Sequence, residues 1–276
     1  MAIARDKFWM VGVKAHQDDV FLLPAVQGTK IPYYYKSRIT PAEGAYMLDL
    51  PNMLMIPCDF DPPPFSKEAL GYMESFYRIK NVLWGACRKG VYNENDLDFV
   101  CELAEKYPKV CGVFLDDLSS AMRKLEGKEA QHKCCLDLLK KTKARLSRAA
   151  DPIDVYVAWY WHEDPVPGML DYIEGVTFWT WNSEELPLLK ERFEACEPKF
   201  AGKKILLGIY MYDFKNRKPV SIEHMELQCN YALELLKAGR IDGILFEANS
   251  VMGVGLPSEL WLRDWLESVK DTVVPD

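Results

Sequence analysis

The sequence predicts an α/β protein of the (β/α)8 TIM-barrel class, with eight parallel strands in a single domain over residues 1–276. The length of 276 residues is close to the roughly 250 residues of one such barrel. Short apolar runs alternate with amphipathic stretches along the whole chain, as expected for parallel strands covered by helices. An open doubly wound sheet would favour a glycine-rich phosphate loop, and the sequence contains neither G-x-G-x-x-G nor G-x-x-x-x-G-K-[ST].

The predicted strands are runs of four or more mainly apolar residues, rich in Val, Ile, Leu and Phe. Such runs are typical of strands that are buried on both faces. In chain order the eight predicted strands are Phe8–Lys14, Met53–Pro57, Asn81–Cys87, Val110–Asp117, Val155–Trp161, Gly175–Asn182, Ile205–Asp213 and Gly243–Asn249.

A predicted helix follows nearly every strand, and several of these helices begin at recognisable caps. Thr40 with Pro41 and Glu43 forms a capping box, and Ser221 precedes a helix that Gly239 ends. The predicted helices are Pro41–Leu50, Ser66–Arg78, Glu94–Lys106, Lys128–Ala149, Val166–Ile173, Glu184–Cys196, Ile222–Ala238 and Glu259–Val269.

Composition restricts the possible partners and compartments. The net charge of −7 gives no reason to expect nucleic-acid binding, which needs basic surfaces. No stretch approaches the ~20 apolar residues of a membrane span, and the N-terminus has no signal-peptide pattern. The eight cysteines include no C-x-x-C pair, which indicates reduced thiols. We therefore expect a cytoplasmic protein, with a longer precursor that lost its signal as the alternative.

A glycine followed four residues later by a polar or aromatic residue recurs in five predicted strands. Residues four apart share one face of a strand, so a glycine at the crowded axis places its partner in the upper layer of the barrel. That layer is the active-site face of this fold. The pairs are Gly12 and His16, Gly112 and Asp116, Gly175 and Trp179, Gly208 and Tyr212, and Gly243 and Glu247.

The same alternation assigns further residues to this face. Lys14 follows Gly12 by two, while Trp159 and Trp161 share a face whose direction no glycine specifies. The alternative is that the glycines only relieve packing at the bottom of the barrel. The predicted substrate-binding residues are His16, Asp18, Trp159, Trp161, Trp179, Trp181, Tyr210, Tyr212, Asp213 and Asn249.

Carboxylates surrounded by indoles and phenols are typical of carbohydrate chemistry. Aromatic rings stack on the apolar faces of sugars, and glycoside cleavage needs one protonated and one ionised carboxyl group. Asp116 or Asp117 on the fourth strand and Glu247 on the eighth are the candidate catalytic residues. The adjacent pair could also comprise one functional acid and one loop-capping acid. Opposite strands of the ring favour the ~6.5–9.5 Å carboxyl separation of inverting enzymes.

Two of these segments resemble motifs of barrel glycoside hydrolases. The run Gly112-Val113-Phe114-Leu115-Asp116-Asp117 resembles their strand-four signature. The run Tyr210-Met211-Tyr212-Asp213-Phe214 resembles the M-x-Y-D strand motif of chitinase-type enzymes. With Gly175–Asn182, these segments make the chain similar to an uncharacterised group of glycosidase-like barrels.

The chain departs from the chitinase pattern at one position. Chitinase-type strands carry a catalytic Glu two residues past an inward Asp, where this sequence has Leu118. Chemistry assisted by the substrate's own acetamido group is therefore not expected. A catalytic Asp116 or Asp117 would need a partner from elsewhere, for which the candidates are Glu247 and Asp213.

A second resemblance favours a metal enzyme. The run Ala15-His16-Gln17-Asp18-Asp19 resembles the A-H-P-D-D motif of zinc-dependent N-acetylglucosamine deacetylases, in which His and Asp bind zinc. The chain has Gln17 in place of Pro and lacks the second H-x-x-H ligand pair. His162 could complete a three-ligand site, while His132 and His224 lie on predicted helices.

Three hypotheses follow. The first is a glycoside hydrolase that acts on a carbohydrate or another small molecule, with no cofactor and no metal. The second is a metal-dependent sugar isomerase or deacetylase that uses His16 and Asp18. The third is a non-catalytic barrel that binds a glycan. The sequence does not predict the sugar, the linkage or the oligomeric state.

Overall fold

Eight parallel strands close into a barrel. The computed structural model describes residues 1–15, 37–58, 61–88, 91–92 and 94–276. Each strand pairs with its neighbours in chain order, and β8 closes the ring against β1, which confirms the predicted fold class. The strands are β1 Phe8–Gly12, β2 Asn52–Met55, β3 Asn81–Arg88, β4 Val110–Leu115, β5 Asp154–Tyr160, β6 Gly175–Trp179, β7 Lys204–Tyr210 and β8 Gly243–Glu247.

Helices cover the outer surface of the barrel. Thr40, Ser66 and Ser221 each accept a backbone N–H at a helix start, and the Thr40–Glu43 capping box is present. The α-helices are α1 Pro41–Met47, α2 Lys67–Ser75, α3 Glu94–Lys106, α4 Leu118–Met122, α5 Lys128–Leu146, α6 Leu189–Cys196, α7 Ile222–Lys237 and α8 Pro257–Val269. Over the described ranges, none of them combines the length and apolar character needed to cross a membrane.

Two predicted helices differ in their details. The stretch predicted over Val166–Ile173 contains only the 3-10 turn Met169–Tyr172. The stretch predicted over Glu184–Cys196 begins as the 3-10 helix Ser183–Leu188, which contains Pro187, before α6 starts. Proline lacks the N–H of a regular helical turn, so the tighter 3-10 geometry precedes the α-helix.

The strands bury two separate apolar clusters. The larger one lies between the strands and the helices. The smaller one contains buried residues only from the strands and the residues that directly follow them, so it is the barrel interior. Its buried members are Trp9, Val11, Val13, Leu54, Leu83, Phe114, Tyr156, Ala158, Trp179, Leu206, Leu245 and Ala248.

Glycines in the interior lie opposite large side chains of the neighbouring strand. A Cβ added at Gly175 would lie 2.2 Å from the ring of Tyr156, its register partner on β5. A Cβ added at Gly208 would lie 2.0 Å from the indole of Trp179. At these two positions the glycine therefore makes room for an aromatic ring, and the contact shows which face of its own strand is inward.

The prediction for the first strand is wrong in direction. Because Trp9, Val11 and Val13 fill the interior, the side of Gly12 faces outward, where an added Cβ would meet Pro41 at 2.9 Å. Lys14 shares that outward side, and its ammonium group forms ion pairs outside the barrel with Asp61 and with Glu68 on α2. His16, the predicted partner of Gly12, lies outside the described residues, as does Asp18.

Candidate active site at the carboxyl ends of the strands

Five consecutive strands end in side chains on the inward side of the barrel. Tyr160, Trp179, Tyr210 and Glu247 are the last residues of β5, β6, β7 and β8, and Asp116 follows β4 directly. Each of these residues comes two or four positions after an interior residue or an inward-facing glycine of the same strand, so it lies on the same face. The glycine pattern on strands four, six and eight thus placed Asp116, Trp179 and Glu247 on the correct side.

The phenols of Tyr160 and Tyr210 both lie near carboxylates at the carboxyl ends of the strands, which form the mouth of the barrel. Burial raises the pKa of Tyr160, and the charges of Asp117, Asp116 and Glu247 raise it further. Burial likewise raises the pKa of Tyr210 well above its ordinary value, with added contributions from the same three carboxylates. The three carboxylates therefore lie within electrostatic reach of both phenols, and both phenols stay protonated at ordinary pH.

Asp117 faces the cleft from a turn in the left-handed backbone region. Its φ of 47° turns the chain from β4 into α4, a conformation that Asp tolerates better than most residues. Its side chain makes no helix-capping hydrogen bond and instead accepts one from the hydroxyl of Tyr160 at 3.0 Å. Asp117 therefore does not act as a loop cap, while Leu118, next in the chain, is fully buried in the outer core.

An aromatic cleft of about 400 Å³ opens above these groups. The indole of Trp179 at its base donates to Thr177 Oγ1 at 2.7 Å and contacts the ring of Tyr210, with 4.9 Å between the ring centroids. The residues that line the cleft are Asp117, Arg123, Tyr160, Trp161, His162, Trp179, Trp181, Asn182, Glu185 and Lys215.

Two exposed tryptophans form the rim of this cleft. The side chains of Trp161 and Trp181 are 37% and 48% exposed. The guanidinium group of Arg192 lies 3.9 Å from the ring centroid of Trp161 and donates to the carboxylate of Glu185. Burial acts to raise the pKa of Glu185, but the hydrogen bond from Arg192 contributes to lowering it overall. An ionised Glu185 thus holds a cation against the indole.

Three predicted substrate-binding residues lie away from the cleft surface. Trp159 is buried under the helices, where its indole N–H donates to the carbonyl of Glu163 at 2.9 Å. Tyr212 is also fully buried in the outer core, because the strand alternation ends at Met211. Asn249 is fully buried as well.

The amide of Asn249 connects the segment after β8 to the residue that follows β1 and to the segment that precedes α1. Its Oδ1 accepts from the backbone N–H of Val13 at 2.8 Å. Its Nδ2 donates to the carbonyls of Val13 at 3.0 Å and Ile39 at 2.7 Å. These bonds give Asn249 a structural position, and we leave it out of the proposed substrate contacts.

Asp213 organises the loop beside the cleft. Its buried carboxylate accepts from the backbone N–H and hydroxyl of Ser183, and from the backbone N–H and side-chain amide of Asn216. Burial acts to raise the pKa of Asp213, but these hydrogen bonds lower it overall. Asn216 also donates to Asn182 at 3.0 Å. The carboxylate therefore joins the loop after β7 to the loop after β6.

The described part of the chain contains no group of side chains that is arranged to bind a metal ion. Among those residues no group of three His, Cys, Asp or Glu side chains is placed to hold a metal ion. His162 lies at the cleft and stacks on Tyr160 at 5.9 Å, while His132 and His224 lie on α5 and α7. The predicted ligands His16 and Asp18 lie outside the described residues.

Sequence reasoning missed five residues of the cleft, which are Arg123, Tyr160, Asn182, Glu185 and Lys215. Tyr160 is inward because it shares a face with Tyr156, whose ring covers Gly175 on the next strand. That register could have been inferred from the glycine pattern. The others lie after the strands, where no strand period indicates direction: Arg123 follows the end of α4, Asn182 and Glu185 lie at the start of the 3-10 helix, and Lys215 lies in a turn.

Comparisons with known proteins identify the fold. No protein-family profile and no curated protein matches the chain. Among solved structures, it is similar to a beta-glucuronidase from Bacteroides uniformis, with 9% identity and a TM-score of 0.57 over 90% of this chain and 32% of that one. It is also similar to the GH99 endo-alpha-mannosidase from Bacteroides thetaiotaomicron, with 7% identity and a TM-score of 0.56 over 97% and 98%.

These similarities confirm the resemblance to glycoside hydrolase barrels at the level of the fold. The chain spans about a third of the length of the glucuronidase. A similar match, with 7% identity and a TM-score of 0.52, covers 98% of this chain and 95% of an EDTA monooxygenase from a Chelativorans species. Because the fold also carries that unrelated chemistry, function has to be argued from the site itself.

Proposed function

We propose that the chain is a glycoside hydrolase whose active site is the mouth of the barrel. The observation that carries this proposal is that Asp116, Asp117 and Glu247 act on the same two partly buried phenols, one of which lines an aromatic cleft together with Asp117. Hydrolysis of a glycosidic bond needs two carboxyl groups with different protonation states near one sugar. The similarity to glycoside hydrolase barrels supports the same class at the level of the fold.

Asp117 and Glu247 are the pair that we assign to this chemistry, with Asp116 as the alternative to Asp117. One carboxyl group protonates the leaving oxygen as the glycosidic C–O bond breaks. The other either activates a water molecule or attacks the anomeric carbon, and water finally supplies the new hydroxyl group. Tyr160 is a positioning residue, because its O–H donates to Asp117 and restricts the orientation of that carboxylate.

Trp161 and Trp181 are proposed to hold the sugar rings. Both expose indole surface at the rim, and an indole face packs well against the C–H face of a sugar. A second groove of about 410 Å³ shares the lining residue Arg123 with the cleft. This neighbouring groove favours an oligosaccharide over a single sugar unit.

The proposal is tested by hydrolysis of a panel of aryl glycosides and oligosaccharides. Asp116→Asn, Asp117→Asn and Glu247→Gln each remove one acid and keep the shape of the side chain. We expect the variants at the two catalytic positions to lose about 10²–10⁴-fold in kcat. The matched control is Glu267→Gln on α8, since the side chain of Glu267 is 72% exposed and its ion pair with Lys270 lies on the helix surface.

Each outcome has a separate meaning. Loss at Glu247 and at only one of the two aspartates supports the proposal and identifies the second catalytic group. Unchanged turnover in Glu247→Gln would remove Glu247 from the mechanism. Saccharide binding without hydrolysis by the wild type would instead support the non-catalytic, glycan-binding barrel.

A further inference from the structure

The rim of the cleft carries cations although the chain as a whole is acidic. Arg123 and Lys215 line the cleft, while the net charge of the protein is −7. Of the two lining carboxylates, Glu185 is paired with Arg192, and Asp117 accepts a hydrogen bond from Tyr160. Lys215 places a positive charge at the wall of the cleft, whereas the carboxylates proposed for catalysis come from the carboxyl ends of β4 and β8.

Of these cations, Lys215 is the one available to a ligand. Arg123 forms an ion pair with Glu163 at 3.3 Å and donates to Ser119 at 2.8 Å. Lys215 is exposed, and among the described residues no carboxylate lies within ion-pair distance of its ammonium group. An ammonium group at the wall of a cleft, without a carboxylate partner, attracts anionic ligands.

The backbone around Lys215 is held in place by hydrogen bonds to a buried carboxylate. Residues 214–217 connect the paired two-residue strands Tyr212–Asp213 and Lys218–Pro219. Asp213 is 1% exposed and accepts hydrogen bonds from Asn216, the residue that follows Lys215. Asn216 in turn donates to Asn182. Asn182 follows Trp181 directly in the chain. The same network therefore fixes the loop of the lysine and the loop of the exposed indole at one side of the cleft.

An indole surface beside an ammonium group suits a particular ligand chemistry. The indole packs against the C–H face of a sugar ring, and the ammonium group attracts a negative substituent on that ring. From this arrangement we propose that the cleft binds an acidic saccharide, with Lys215 holding its anionic group and Trp181 its ring. This inference rests on the proposed function, because it names the substrate class of the same site. Carboxylate-bearing and sulfate-bearing sugars share the required charge.

Binding of matched saccharide pairs to the wild-type protein tests the inference. The first arm compares a uronic-acid oligosaccharide with its neutral counterpart, and the second compares a sulfated oligosaccharide with its unsulfated form. Calorimetry gives Kd at about 20 mM and about 200 mM salt, since salt screens an exposed charge pair. Lys215→Met removes the charge and keeps the length of the side chain, and Lys237→Met at the exposed end of α7 is the matched control.

We expect the acidic member of at least one pair to bind about three- to tenfold more tightly than the neutral one at low salt. Lys215→Met should abolish this preference and leave the Kd of the neutral sugar within about twofold, while Lys237→Met should change neither. The arm with the larger preference identifies the anionic group. Equal binding of acidic and neutral sugars, or an equal loss for both in Lys215→Met, overturns the inference.

Failure of the inference and failure of the proposed function are distinguishable. Hydrolysis of neutral glycosides with no preference for acidic ones retains the hydrolase and overturns the acidic substrate. Selective binding of acidic sugars without hydrolysis supports the acidic ligand and contradicts the hydrolase. Absence of binding and of hydrolysis across the whole panel overturns both.

Discussion

Replacing Gly208 with alanine is expected to destabilise the barrel strongly, because the added methyl group would occupy the space of an aromatic ring. The new Cβ would lie 2.0 Å from Trp179 Cε3, 2.3 Å from Cζ3 and 2.4 Å from Cδ2. Ordinary contact begins near 3.4 Å, so the ring and the strand must separate by about 1.4 Å. Trp179 is held by its bond to Thr177 and by the ring of Tyr210, so it cannot yield freely.

The magnitude follows from these contacts. Overpacking of a well-packed interior costs about 1–3 kcal/mol. A shift of the indole would also weaken its hydrogen bond to Thr177, which contributes about 1 kcal/mol. A total loss of about 2–4 kcal/mol corresponds to a fall in Tm of about 3–7 °C for a protein of 276 residues.

Thermal and urea unfolding of Gly208→Ala measure this loss, and Gly71→Ala is the matched control. Gly71 lies within α2, and a Cβ added there meets no atom within 4 Å. Alanine inside a helix stabilises by about 0.5–1 kcal/mol relative to glycine, so the control should shift Tm in the opposite direction. A Gly208→Ala protein as stable as the wild type would refute the placement of Gly208 opposite the indole.

Three further predictions concern the site. Tyr160→Phe removes the hydrogen bond to Asp117. In steady-state assays kcat should fall about tenfold while KM stays within about twofold. A change in KM alone would contradict the positioning role of Tyr160. Asp213→Asn should lose about 2 kcal/mol at pH 7 in urea unfolding. The folded-state pKa of Asp213 is lowered, so its carboxylate stabilises the folded state at pH values above the unfolded-state pKa. The difference in unfolding free energy between the wild type and Asp213→Asn should therefore shrink as pH falls below about 4. A pH-independent difference would argue against stabilisation by the ionised carboxylate. Trp181→Ala should weaken saccharide binding by about 1 kcal/mol in calorimetry. The control Tyr77→Ala removes an 89% exposed ring beside the opposite end of the barrel and should leave binding unchanged. Equal losses in the two variants would contradict the assignment of Trp181 to the rim of the binding cleft.

The strands could be predicted because their physical signal is local. Apolar runs mark strands that are buried on both faces, and hydroxyl caps such as Thr40 mark where helices begin. The side that each strand turns inward is a property of the whole ring. Gly208 faces inward because Trp179 needs its space, whereas Gly12 faces outward toward α1. One strand cannot reveal this difference without the register of its neighbours.

The candidate site was predictable to the extent that strand alternation continues to the mouth. Glu247 ends β8 on the predicted side, but the alternation stops at Met211, so Tyr212 turns into the outer core. Loop residues such as Lys215 follow no period, and hydrogen bonds to a buried carboxylate place their backbone. The sequence shows that carboxylates and aromatic residues are available, but tertiary contacts decide which of them meet.

Hydrolysis by Glu247→Gln, measured together with its saccharide binding, tests the central claim most directly. Glu247 and the aspartates after β4 act on the same partly buried phenols, and the proposed chemistry needs an acid at both positions. We predict that the variant keeps the wild-type Kd within about threefold and the wild-type Tm within a few degrees, while kcat falls at least about 10²-fold. Turnover at the wild-type rate with intact binding would contradict the account.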